Sequence, residues 1–127
     1  MKTILFLILI IILIYSAGNY ILGGGLQKYI DTHQDKPQVI KYQMSLANIY
    51  FFLGKYEKAI VGYENIVNRY PQAEQVPEAL YRLGQSYDEL SRYPEAREVY
   101  KKLIENYPGN EHLPEVQSRL NYLLSLP

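Results

Sequence analysis

The chain has 127 residues with 13 basic and 13 acidic side chains, two histidines, 14 tyrosines and no cysteine. Zero net charge gives no electrostatic footprint for nucleic acid, and the lack of cysteine excludes disulfides, thiolate zinc sites, Cys-x-x-Cys-His haem attachment and lipidation at an amino-terminal cysteine. Lys2 is the only charge before Lys28, so the first 25 residues form a segment apart, and the remainder suffices for one small domain whose helices must stack to share a core.

Thr3 to Leu22 carries no charge, and Ile4 to Tyr15 is an unbroken apolar run. A helix of about 20 residues reaches about 30 Å, the thickness of a bilayer's hydrocarbon core. Residues 1–25 are therefore expected to be a transmembrane signal-anchor, with residues 3–22 in the membrane. A cleaved secretory signal is the competing reading, since a short basic start, an apolar run and Ser16-Ala17-Gly18 fit that pattern too. The return of apolar residues at Tyr20-Ile21-Leu22 favours the anchor. Lys2 lies on one side and Lys28, Lys36 and Lys41 on the other, so lysine counting does not orient the segment. The signal-like start and the readiness of long domains to translocate place the following domain on the exported side, periplasmic or extracellular.

Gly23-Gly24-Gly25 is expected to end the membrane helix, and residues 26–37 to form a polar linker. The three glycines are no phosphate loop, because the lysine and hydroxyl that would contact a nucleotide are missing. Asp31-Thr32-His33-Gln34-Asp35 offers three metal-ligating side chains, but a tether has no scaffold to fix their geometry. No metal or cofactor site is assigned, and His33 and His112 stand far apart.

From Ile40 onward the sequence matches itself at a shift of 37 residues. Leu46 falls on Leu83, Tyr50 on Tyr87, Tyr56 on Tyr93, Ala59 on Ala96, Tyr63 on Tyr100, Ile66 on Leu103, and Tyr70-Pro71 on Tyr107-Pro108. A second shift carries Pro77 to Pro114 and Leu83 to Leu120. Apolar positions recur at helical spacing, as in Ala79, Leu80, Leu83 and Tyr87, then Ala96, Val99, Tyr100 and Leu103. Helices are predicted at about 38–53, 56–69, 77–90, 93–106 and 114–125, with Pro77 and Pro114 at starts and Pro71 and Pro108 just past ends. Ala59 and Ala96 would allow close helix approach. Glu78 with Arg82, Asp88 with Arg92, Glu98 with Lys102 and Glu115 with Arg119 are four apart in the favourable order and read as solvated helix faces.

These residues resemble the tetratricopeptide repeat. Leu83-Gly84, Tyr87, Tyr93, Ala96, Tyr100 and Pro108 fit its pattern, while Ala47 replaces the glycine in the first repeat, and Gln43 and Leu80 stand where an aromatic opens the pattern. The usual period is about 34 residues. The excess here lies in Ala73-Glu74-Gln75 and Asn110-Glu111-His112, a longer join similar to that of exported bacterial members. The resemblance implies an all-α fold: a transmembrane helix, then a short α-solenoid over 38–127, with repeats at about 40–76 and 77–113 and a capping helix at about 114–125.

Function follows from the resemblance as an expectation. Nothing in the side-chain inventory assembles a nucleophile, base and orienting acid, so no catalytic residue and no small-molecule substrate is expected. The tyrosines occupy positions that packing needs. The concave face of stacked helix pairs is the expected binding surface. By resemblance it comprises Lys41, Met44, Asn48 and Phe52, then Glu78, Tyr81, Gln85 and Glu89, then Ser118 and Tyr122. Phe51 and Phe52 point about 100° apart on a helix, so one narrow buried stripe does not hold both, and Phe52 is expected to face outward. Chaperone-binding relatives clamp a terminal carboxylate; Asn48 fits that set, but Met44 and Glu78 stand in place of lysines. The expected role is a non-catalytic scaffold, an accessory or assembly subunit whose partners are protein subunits of a membrane complex. The alternative is a free envelope adaptor that recruits peptides or assembly factors.

Overall fold

A computed structural model describes residues 1–127. The chain is all α-helical: α1 Lys2–Leu22, α2 Gly25–Thr32, α3 Gln38–Phe52, α4 Tyr56–Arg69, α5 Val76–Glu89, α6 Tyr93–Asn106 and α7 Leu113–Ser125. Five of these match the helices expected from the 37-residue period to within a residue at each end.

Helix α1 is long and apolar enough to cross a membrane, and it is exposed from Lys2 to Ala17, only its last turn meeting the rest of the chain. It ends where the glycines begin, with Gly23 as its cap. Residues 26–37 are not the polar tether that their composition suggested. Gly24 turns the chain at φ +92°, and α2 then packs on α3 with Ile30 only 3% exposed. Leu26, Tyr29 and Ile30 form a short helical stripe, and burying it against α3 outweighs the polarity of the intervening residues.

Helices α3 with α4 and α5 with α6 make two helix-turn-helix pairs, and α7 packs on α6. Both pairs turn in the same way. Lys55 N donates to Tyr50 O at 2.8 Å and Gly54 N to Phe51 O at 2.9 Å; one period later Arg92 N donates to Tyr87 O at 2.8 Å and Ser91 N to Asp88 O at 2.9 Å. This Schellman arrangement needs a left-handed residue, supplied by Gly54 at φ +69° and by Ser91 at φ +56°.

The core is continuous from Ile30 to Leu123. Ala59 and Ala96 are completely buried, and Tyr63, Leu46, Ile66, Leu80, Leu103 and Leu123 are the large side chains sealed between helices. Each such side chain contributes about 1.5–3 kcal/mol of burial. The packing is close enough that a Cβ on Gly62 would come within 2.7 Å of the Ala47 methyl, and one on Gly84 would overlap the Tyr100 ring. At the carboxyl end, Gln117 and Asn121 hydrogen-bond each other at 3.2 Å and are exposed where Leu80 and Gly84 stand one period earlier. A polar outer face closes the stack.

Of the four ion pairs suggested by sequence spacing, one forms, two are replaced and one is absent. Glu78 and Arg82 do pair, at 3.1 Å. Arg92 turns to Glu95 and Glu57, and Arg119 reaches across to Asp88. No ion pair joins Glu98 to Lys102. A partner on a neighbouring helix, or one in the first turn, presents better geometry than the residue four positions away.

Candidate protein-docking groove

Helices α5 and α7 run beside each other with α6 behind them, and a cleft of about 620 Å³ opens between them. The spacing of side chains on α5 builds one wall. Tyr81, Gln85, Asp88 and Glu89 recur at three- and four-residue steps and so share one face. Glu115, Ser118, Arg119 and Tyr122 build the facing wall on α7, and Tyr100 and Val116 close the floor.

The lining is ordered by a hydrogen-bond chain. The Tyr81 hydroxyl donates to Glu115 Oε2 at 2.9 Å and accepts from Gln85 Nε2 at 3.0 Å, while Arg82 Nη1 donates to Gln85 Oε1 at 3.2 Å. Burial, then the bond to Glu115, pushes the Tyr81 phenol up to about 12. His112 stacks on Tyr81 with ring centroids 3.9 Å apart and planes 2° from parallel, and its Nε2–H donates to Glu78 Oε2 at 3.0 Å. Arg119 is held to Asp88 by two short bonds and lies 4.7 Å from the Tyr122 ring centroid; the bond to Asp88 raises its pKa further. Among the charged groups of the lining, Asp88, Glu89 and Glu115 face the single cation Arg119, so the cleft is acidic.

Of the residues that the sequence nominated for a binding surface, Tyr81, Gln85, Glu89, Ser118 and Tyr122 come together in this cleft. Tyr122 is 53% exposed, whereas Tyr81 offers its hydroxyl edge and is otherwise buried. Glu78 sits beside them, committed to Arg82 and His112. The four α3 residues lie apart from the cleft. Lys41 is exposed, and Asn48 accepts the Tyr63 hydroxyl at 2.7 Å. Met44 is buried in the core and offers little surface, contrary to what the resemblance implied; an apolar side chain at the edge of a helical stripe turns to the core when neighbouring helices can cover it. Phe52 is 73% exposed, with its ring edge-to-face on Phe51 and 5.5 Å from the Arg82 guanidinium carbon.

Sequence reasoning missed Asp88, Glu115 and Arg119 as groove residues by assigning them to solvated faces. A signal was present: Asp88 lies three residues after Gln85 on the same face, and Glu115 three before Ser118. A smaller hollow of about 290 Å³ lies between α4 and α6, where the Tyr87 hydroxyl donates to Glu64. No group of three histidine or carboxylate side chains converges anywhere to hold a metal ion.

No curated protein sequence matches the chain. The tetratricopeptide repeat family model matches residues 38–109, which covers α3 to α6 and more than half of the chain. Two tandem helix pairs with a shared turn and a common period accord with that match, and the chain belongs to the tetratricopeptide repeat family, a non-catalytic protein-interaction fold.

Proposed function

We propose that this protein is a membrane-anchored scaffold, a small accessory or assembly subunit that docks a partner protein in the groove between α5 and α7. Helix α1 would hold it in the bilayer as a single-pass anchor, with the repeat domain over 38–127 on the exported side. The observation that carries the reading is the pairing of an apolar helix exposed from Lys2 to Ala17 with a preorganised, partly aromatic cleft on a repeat domain. Two and a half repeats offer limited surface, which suits one fixed contact better than the capture of long ligands. The acidic lining favours a partner segment that presents lysine or arginine between apolar residues.

Mild detergent extraction from native membranes, followed by purification of the full-length chain, tests this reading. A partner recovered at constant stoichiometry through successive columns is the expected result. Partners recovered in small and variable amounts would favour a free adaptor instead, and a chain found wholly in the soluble fraction would remove the anchor from the account.

A further inference from the structure

The turn that leads from one helix pair to the next occurs three times, not twice. Ala73 N donates to Tyr70 O at 2.9 Å and Val76 N to Ala73 O at 3.1 Å; one period later Asn110 N donates to Tyr107 O at 3.0 Å and Leu113 N to Asn110 O at 3.3 Å. One period earlier Lys36 N donates to His33 O at 3.0 Å and Val39 N to Lys36 O at 3.0 Å. Helix ends follow the same spacing: α2 stops at Thr32, α4 at Arg69 and α6 at Asn106. Ile30 stands where Val67 stands in the next unit, and both are buried. Yet Leu22, Leu26 and His33-Gln34 occupy the places of Ala59, Tyr63 and Tyr70-Pro71, and α2 is 8 residues long against 14 for α4, so the side-chain pattern of the repeat is lost while the backbone of its closing turn is kept.

The joint between α1 and α2 is also closed. Only Gly23 and Gly24 separate the two helices. Gly23 N donates to Asn19 O at 2.8 Å, and Lys28 N to Gly24 O at 2.9 Å. The Tyr20 ring lies against Gly25, where any Cβ would strike it. Ile21, the penultimate residue of α1, packs on the domain core. Farther along, the Tyr70 hydroxyl donates to Gln34 O at 3.2 Å and ties the turn after α2 to the end of α4.

We infer that α2 is the second helix of a degenerate repeat that welds the anchor to the repeat domain, so that the groove is carried at a fixed height and rotation over the bilayer. The inference rests on the anchor reading of the proposed function. With helix axes about 10 Å apart, α7 lies roughly 20 Å along the stack from α3, and the face is presented to segments of membrane proteins that emerge at that height. A free tether of about 12 residues would instead let the domain wander by about 20 Å. Rigid mounting concentrates the groove where a membrane partner stands and withholds it elsewhere.

The absence of native cysteine allows clean labelling of Ser16→Cys with Asn68→Cys in the full-length chain. Spin labels at these sites, read by pulsed dipolar spectroscopy in nanodiscs of phosphatidylcholine and phosphatidylglycerol, report the distance between α1 and α4. A narrow distribution is expected, broadening about twofold or more when a 12-residue Gly-Ser spacer is placed between Gly24 and Gly25. Ile30→Asp should broaden it likewise; the spacer variant leaves every core residue in place and guards against simple unfolding. A native distribution as broad as that of the spacer variant overturns the rigid joint. Carbonate extraction separates the two readings. A chain that resists carbonate but shows a broad distribution overturns the joint alone, and a chain released by carbonate overturns the placement over a bilayer, however narrow its distribution.

Discussion

Arg119 on α7 grips Asp88 on α5 with both arms of its guanidinium, Nε to Oδ2 at 2.6 Å and Nη2 to Oδ1 at 2.8 Å. The pair spans the mouth of the groove and fixes the angle of the capping helix. Its Asp88 end is 13% exposed and its Arg119 end 41%, so solvent screens only part of it. Asp88→Asn keeps the size of the side chain but turns an amide toward the guanidinium. The full-length chain in detergent should lose about 1–2 kcal/mol of stability in thermal or urea melts, and the difference should shrink in high salt.

Ser91 holds the left-handed turn that Gly54 holds in the preceding unit. A non-glycine residue at φ +56° carries strain, and its one hydroxyl contact, with Tyr93, is long at 3.4 Å. Ser91→Gly should therefore raise stability by about 0.5–1 kcal/mol, the relief of strain exceeding the added freedom of the unfolded chain. Melting of the variant beside Gly54→Ala, which should fall by a similar amount, checks the assignment.

Gly84 lets α5 lie directly on the Tyr100 ring. That ring is buried, and the close approach leaves it little room to yield. Gly84→Ala should cost about 1–3 kcal/mol through overpacking, despite the better helix propensity of alanine. Ala96→Leu, at a completely buried site, should cost a similar amount. Gly109→Ala meets open space and serves as the control.

Alkali should unfold the repeats through their phenols. Burial, chiefly, raises the pKa of Tyr63, Tyr81, Tyr87 and Tyr100, that of Tyr81 to about 12. Each folded value lies above the unfolded one near 10, so this stabilisation is fully present below pH 10 and is lost as the pH rises through the folded value. Tyrosinate absorbance and circular dichroism, followed together, should show these four phenols ionising above pH 10 and together with loss of helix. A single titration near pH 10 with unchanged helix content would contradict the burial of these rings.

The helix pairs were legible in the sequence because Tyr50, Ala59, Tyr63 and Tyr70-Pro71 recur in full one period later. Helix α2 was not, because its unit keeps only Ile30 and a turn whose hydrogen bonds are made by backbone, and backbone leaves no side-chain signature. The groove was half legible. The resemblance to the repeat family nominated Tyr81, Gln85 and Glu89, but Arg119 read as the local partner of Glu115 until tertiary packing gave it Asp88. Local spacing ranks partners along a helix and says nothing of those across one.

The claim at the centre of this account is that the groove face meets a partner protein. Photocrosslinking in native membranes addresses it most directly, with a benzophenone side chain replacing Glu89 or Tyr122, exposed on the two walls of the groove, and Val61 of α4 as the exposed apolar site outside the groove. One discrete adduct is predicted, of the same mass from Tyr122 and Glu89 and absent from Val61. No adduct from Tyr122 and Glu89, or the same adduct at equal yield from Val61, would contradict the claim.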